Sequence, residues 1–177
     1  MKDIQKKIIL DYEILASRAK AHRTLGHRIV CTIGSWDMLH IGHMRYLNRA
    51  KEEGDILIVG VDSDRGIKLY KKSELRPIIP EKERMEMLAY QDCVDYVTLV
   101  DDVDKVGLWK YGLLKIIQPD VYVAVTDSYP ADQIKDIKKF AGQVLQLPRQ
   151  AQQTSSTNII ERTVKSHLEQ MLKSIPH

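Results

Sequence analysis

Hydrophobic positions along this chain alternate between two rhythms. Residues 3–25 carry Ile4, Ile8, Leu15, Ala19 and, less regularly, Leu25 at roughly helical spacing, and Gly26 supplies a stop. An apolar, β-branched run at 28–33 then reads as a first strand. A helix is predicted from about Gly42 to Glu53, ended by Gly54. Residues 55–61 are almost continuously apolar, as in a parallel strand buried on both faces. Residues 62–80 are polar, with two prolines and several lysines, and read as a long loop. Pro80-Glu81-Lys82-Glu83 opens a helix running to about Gln91, with acids at the positive end of its dipole. The pattern continues with a strand at Tyr96–Val100, a helix over 105–117 closed off by Pro119, and a strand at Val121–Val125. A helix over 131–141 and a short strand at Val144–Leu147 follow. From about Thr157 a last helix carries Ile160, Val164, Leu168, Met171 and Ile175 on one stripe. That stripe suits packing against the sheet or, alternatively, a homodimer.

Strands alternating with helices predict an α/β fold, Rossmann-like and doubly wound. Its sheet is expected to be parallel and mainly five-stranded, with helices on both faces. Residues 1–26 read as an N-terminal helical extension and 27–177 as the main domain. In such a sheet ligands bind beyond the carboxyl ends of the strands. One rim would then carry Gly34–His43, Asp62-Ser63-Asp64, Thr126-Asp127 and Arg149–Thr157.

Composition narrows this only slightly. With 44% apolar and 29% charged residues and a net charge of +3, the chain is an ordinary globular one that does not demand nucleic acid. Cys31 and Cys93 read as reduced core thiols, without partners for a disulfide framework or a zinc site. No signal peptide and no membrane-length apolar run are apparent, so a cytoplasmic protein without a membrane partner is expected.

The chemistry concentrates where the first strand meets its helix, in Gly34-Ser35-Trp36-Asp37-Met38-Leu39-His40-Ile41-Gly42-His43. His40 and His43, three apart at a helix start, can face one way and donate N–H groups to a phosphate. Gly42 admits close backbone approach, and the helix start adds free amides. The plain alternative is a pair of surface histidines capping the helix. Asp37 suits either a turn or a site that orients other groups. Lys68, Lys71 and Lys72 form a solvated basic loop or supply a phosphate-neutralising cation. Arg76 sits in an extended context before Pro77 and can hold a phosphate bidentately. Arg84, on a helix, suits an ion pair. Thr154-Ser155-Ser156-Thr157 precedes the last helix and can cap it, bind an anion, or both.

The segment from Gly34 to His43 resembles the Gly-x-Phe-Asp-x-x-His-x-Gly-His motif of the cytidylyltransferase-like nucleotidyltransferases. Val61-Asp62-Ser63-Asp64, Arg76-Pro77-Ile78, Glu83-Arg84, Cys93–Val97, Pro119-Asp120-Val121 and Ser155-Ser156-Thr157 follow in that family's order and spacing. The similarity covers about residues 8–164. It is nearest to the nucleotidyltransferase domain of bacterial ADP-heptose synthases, with glycerol-3-phosphate cytidylyltransferase second. Class I aminoacyl-tRNA synthetases share the His-Ile-Gly-His element, but this chain is too short for one and has no matching lysine-rich signature.

The resemblance implies transfer of a nucleotidyl group from ATP or CTP to a phosphorylated sugar or polyol such as heptose 1-phosphate, with release of pyrophosphate. It implies catalytic roles for His40, His43 and Lys71. It implies nucleotide contacts from Ile33, Gly34, Trp36, Asp37, Gly42, Asp127, Ser155, Ser156 and Thr157. Acceptor contacts would come from Asp62, Asp64, Arg76 and Arg84, with Arg84 structural or substrate-organising. Mg²⁺ would ride on the triphosphate rather than on a protein metal site, and a separate sugar kinase is the expected pathway partner. The chain departs from the family at three places. Trp36 replaces phenylalanine, Ala124-Val125-Thr126-Asp127 stands for Lys-Gly-Gly-Asp, and Gln150-Ala151-Gln152-Gln153 leads into the final motif. Bulk at Val125 and Thr126 is expected to crowd the base. These departures motivate a rival reading, a nucleotide-binding regulator on a decayed enzyme scaffold. A third reading is a non-catalytic interaction module that uses the C-terminal helix.

Overall fold

A computed structural model of the chain describes residues 3–151 and 153–173, apart from the side chains of Leu172 and Lys173. Gln152 and Ile175, named above, lie outside the described residues. Five strands, β1 (Ile29–Gly34), β2 (Ile56–Asp62), β3 (Tyr96–Val100), β4 (Val121–Val125) and β5 (Gln143–Leu147), form one sheet in the order β3-β2-β1-β4-β5. Every pairing is parallel, with Ile29 to Gly34 in register with Ile56 to Val61. Chain order reverses at β1, so β1 and β4 form the switch point where a crevice opens.

Alternation along the strands divides the core. Val30, Leu57, Val59 and Val61 face one side, under α2 (Ile41–Lys51) and α4 (Glu81–Ala89), with Tyr46, Leu47, Met85 and Leu88. Ile29, Cys31, Ile33 and Ile58 face the other. There they meet α1 (Tyr12–Thr24) and α5 (Gly112–Ile117) through Leu15, Ala19, Leu113 and Ile117, and α6 (Ala131–Ile137) through Ile137. The doubly wound layering expected from the sequence is present.

Four elements differ from the sequence expectation. The single leading helix is two pieces, a short 3-10 helix at Ile4–Lys7 and α1. Asp11 accepts from the Glu13 and Ile14 amides and caps α1, while Ile8 bridges to the edge strand at Val97. The loop over 62–80 contains α3 (Asp64–Lys71), started by Ser63, whose Oγ accepts from the Gly66 amide at 2.9 Å. The expected helix over 105–117 is only α5. Residues 103–109 form a hairpin instead, bridged between Val103 and Trp109 and turned at Gly107, whose φ is +85°. Finally, α7 (Ser156–Lys173) does not pack against the sheet: every side chain from Glu161 to Met171 is exposed. No helix among the described residues is long and apolar enough to cross a membrane.

Candidate active site

Beyond the carboxyl ends of β1, β2 and β4 lies a cleft of two lobes that share Ile33, Gly34, Ser35, Lys71, Ser128, Tyr129 and Arg149. The first lobe, of about 270 Å³, is walled by the start of α2, the residues leading into α7, and Trp36. The second, of about 570 Å³, runs out past Asp62, Tyr70, Trp109, Asp127 and Gln133.

The two histidines define the first lobe. Their rings lie 4.0 Å apart, centre to centre. His40 Nδ1 accepts the Gly42 amide at 3.1 Å, and His43 Nδ1 accepts the His40 amide at 3.4 Å. Each ring is thereby assigned the tautomer that carries its proton on Nε2, so both are neutral donors with Nδ1 already occupied. The capping alternative is realised, and because it occupies Nδ1 of each ring it leaves Nε2–H as the group that can donate. Burial pushes the His43 imidazolium down to about 4, helped by His40 and opposed by Asp37; burial also lowers His40. A β-carbon at Gly42 would lie 2.8 Å from the His40 ring and 3.0 Å from Ala151, so that position admits no side chain.

Trp36 explains its own substitution. Its indole Nε1 donates to the Gly60 carbonyl at 2.8 Å, a bond that phenylalanine cannot make, and its ring meets His43 edge-on at 5.5 Å. Gly34 lies under that ring, where a β-carbon would come within 3.3 Å. Ile33 contributes its carbonyl, which accepts from the Tyr129 hydroxyl at 3.1 Å.

Several predicted contacts belong to the frame instead of the cleft. Asp37 is 1% exposed and lines neither lobe. Its carboxylate accepts from the Ile78 and Ile79 amides and pairs with Arg76 at 2.8 Å. It acts on the cleft through Arg76, which does line the first lobe. Arg84 is fully buried. It donates to the carbonyls of Ser35, Asp62 and Ile79 and pairs with Asp64, so both belong to an internal brace joining β1, β2 and α4. Four of its five N–H donors are spent on carbonyls and a carboxylate, and Arg84 lines neither lobe. Asp62 does reach the second lobe. Tyr70 donates to it at 2.9 Å, and burial raises its carboxyl to about 6.

Of the three loop lysines, Lys71 lines both lobes; Lys68 pairs with Glu74 at 3.3 Å, and Lys72 is the left-handed residue ending α3. At the start of α7, Ser155, Ser156 and Thr157 all line the first lobe. Ser155 Oγ also accepts the Asn158 amide, and Ser156 Oγ donates to the Asp37 carbonyl, tying α7 to the histidine loop. Asp127 lines the second lobe and not the first, 3.9 Å from Arg149. Val125 does face the first lobe, but Thr126 turns away, its hydroxyl and amide both donating to the Leu147 carbonyl. The crowding expected there is confined to Val125. Arg149, Tyr129, Ser35 and Trp109 were not singled out from the sequence. Arg149 already lay on the predicted rim, and a cation just past a strand end was its available signal.

A parallel sheet with imidazole donors at its switch point, facing hydroxyls at a second helix start, is the architecture of a nucleotidyltransferase domain, and the chain belongs to the cytidylyltransferase-like family, whose model matches residues 31–162. Among its relatives, the bifunctional protein HldE of Geotalea uraniireducens is 37% identical over 87% of this chain and 30% of the relative, and that of Nitratiruptor sp. is 42% identical over 67% of this chain and 24% of the relative. The chain thus spans about a third or less of the length of these curated relatives. Two solved structures share the fold. A lipopolysaccharide core biosynthesis protein from Thermoplasma volcanium (TM-score 0.58, 23% identity) covers 70% of this chain and 98% of its own. A pantoate-beta-alanine ligase from Francisella tularensis (TM-score 0.61, 16% identity) covers 89% of this chain and 76% of its own.

Proposed function

We propose that the chain transfers a nucleotidyl group from ATP or CTP to a phosphorylated sugar or polyol, with pyrophosphate leaving. The observation that carries this reading is the pair of Nε2–H donors, held by backbone amides at one helix start and facing hydroxyls and amides at another. A nucleoside triphosphate lying in the first lobe meets neutral donors, Arg76, Lys71 and two helix N-termini, all suited to phosphate oxygens. The acceptor phosphate enters from the second lobe. One of its oxygens attacks the α-phosphorus, the bond to the bridging oxygen breaks, and the electron pair leaves with pyrophosphate. Fixed donors stabilise the charge that grows on the α-phosphoryl oxygens, without a covalent enzyme intermediate.

Magnesium fits this scheme as an ion carried by the triphosphate. Among the described residues no group of three or more histidines, cysteines, aspartates or glutamates is arranged to hold a metal. Its oxygen ligands would come from phosphate and water, and its chemistry would be charge neutralisation on the β- and γ-phosphates. Likeness to the HldE proteins favours heptose 1-phosphate among acceptors and a sugar kinase as the source of that acceptor. A cytoplasmic setting follows from such substrates. The testing experiment measures pyrophosphate release with ATP or CTP against heptose 1-phosphate and glycerol 3-phosphate. Release with one pairing supports the proposal. Tight nucleotide binding with silence across every pairing supports the regulator reading instead.

A further inference from the structure

The hairpin at 103–109 is the part of the cleft for which neither the sequence pattern nor the histidine chemistry accounts. It is built, not slack. Asp104 Oδ1 accepts from the amides of Val106 and Leu108, and the backbones of Asp104 and Leu108 bond at 2.9 Å. At the hairpin base the Lys110 amide donates to the Asp102 carbonyl at 2.8 Å, and Asp102 Oδ2 accepts from the first amides of α5. Arg65 ties the near strand to α3 through the carbonyls of Asp101 and Val103. At the tip, Gly107 rests against Leu69 and the Tyr70 amide, where a β-carbon would approach to 3.2 Å. Hairpin and α3 thus meet over the second lobe, and the hairpin brings Trp109 into its wall.

Trp109 stands in an aromatic group, 4.3 Å from the Tyr111 ring and 6.1 Å from Tyr129. The lobe's lining also carries hydrogen-bonding groups: Asp62, Asp127, Gln133 and Tyr70, whose hydroxyl donates to Asp62. The cations Lys71 and Arg149 lie at the junction with the first lobe. An acceptor oriented by this distribution places its phosphate at the junction, its hydroxyls on the carboxylates and amide, and a C–H face on the aromatic wall. A lobe of about 570 Å³ is far larger than a three-carbon polyol phosphate needs, and a three-carbon chain has no ring face to lay on an indole.

We infer that Trp109, delivered by the 103–109 hairpin, is a specificity-determining residue that selects a ring-form sugar phosphate over a three-carbon polyol phosphate. The inference rests on the proposed nucleotidyl transfer for the identity of the reaction, and its test separates the two. Steady-state pyrophosphate release is measured for wild type, Trp109→Ala and Trp109→Phe with heptose 1-phosphate, mannose 1-phosphate and glycerol 3-phosphate. Wild type is expected to favour the ring-form acceptors about 100-fold in kcat/KM. Trp109→Ala should raise KM for them about 10-fold or more while KM for the nucleotide stays within about twofold, and Trp109→Phe should restore part of the loss. Equal efficiency of Trp109→Ala and wild type with a ring-form acceptor, or a wild-type preference for glycerol 3-phosphate, overturns the inference. A second readout needs no turnover. In a Trp36→Phe background Trp109 is the only indole, and its fluorescence is titrated with mannose 1-phosphate and with glycerol 3-phosphate. Saturable quenching by the first alone sustains the inference even where no pyrophosphate is released, and an unchanged spectrum with both overturns it.

Discussion

The two lobes of the cleft are built in opposite ways. The histidine lobe takes its donor pair from one local piece, a strand end and a helix start, and draws Lys71, Arg76 and the α7 hydroxyls from elsewhere in the chain. Its donors are aimed by bonds spanning two or three residues, as between His40 and the Gly42 amide. The aromatic lobe is assembled wholly from parts far apart in sequence: Asp62 at the end of β2, Tyr70 on α3, Trp109 on a hairpin, Asp127 and Gln133 after β4. Local construction makes the histidine pair insensitive to what surrounds it, which suits a constant chemical step. Remote construction lets the second lobe change by altering one loop, which suits a variable acceptor.

The strongest way to break this contrast is to remove the local donors. His40→Ala should lower kcat by about 10³-fold, or about 4 kcal/mol of transition-state stabilisation, and His43→Ala by a similar factor. The acceptor KM should move little in either variant. Steady-state kinetics with saturating nucleotide check this, and a variant as fast as wild type removes the histidines from the reaction.

Legibility in the sequence follows the same division. Strands β3 and β4 fall on the residues expected for them, and β1, β2 and β5 within a residue or two, because buried parallel strands are continuous apolar runs. The His40–His43 element was readable for the same local reason. Helix α3 was hidden because Asp64–Lys71 is short and charged and depends on the Ser63 cap and the Arg84 brace. The hairpin was hidden because Val106, Leu108, Leu113 and Leu114 mimic a helical period that Gly107 and the Asp104 side chain interrupt. Asp37 and Arg84 were legible as important residues but not in their roles. A motif position gives the residue type, while burial decides whether it meets a ligand or holds the loop that does.

Asp37 offers the next largest effect and sharpens the contrast from the frame side. Asp37→Ala removes a buried carboxylate that satisfies two amides and the Arg76 guanidinium, leaving all three unpaired. A loss of about 3 kcal/mol in unfolding free energy is expected, read as a lower urea midpoint at unchanged slope. A variant as stable as wild type would show that the loop does not depend on this carboxylate.

Lys71 tests the junction, since it alone among the loop lysines faces both lobes. Lys71→Ala should raise KM for nucleotide and acceptor together, lowering kcat/KM about 10- to 50-fold, whereas Trp109→Ala moves the acceptor alone. A change confined to one substrate places Lys71 in a single lobe and removes the shared boundary.

The smallest expected effect is in pH dependence, where the lobes oppose each other. His43 in the folded chain titrates near 4, below its ordinary 6.5, so its neutral form contributes stability above 6.5 that is lost as pH falls towards 4. Asp62 titrates near 6, above its ordinary 3.8, so its protonated form contributes stability below 3.8 that is lost as pH rises through 6. Between pH 4 and 6 one lobe loses what the other gains, and wild-type stability should be nearly flat from these two groups. Asp62→Asn removes only the second contribution while keeping an acceptor for the Tyr70 hydroxyl. Its unfolding free energy should therefore fall on acidification from pH 6.5 to 4 relative to wild type, and imidazole resonances should show His43 titrating near 4 in both proteins. Parallel stability profiles, or a His43 that titrates near 6.5, would mean that the histidine lobe is wetter and less fixed than its Nδ1 bonds imply.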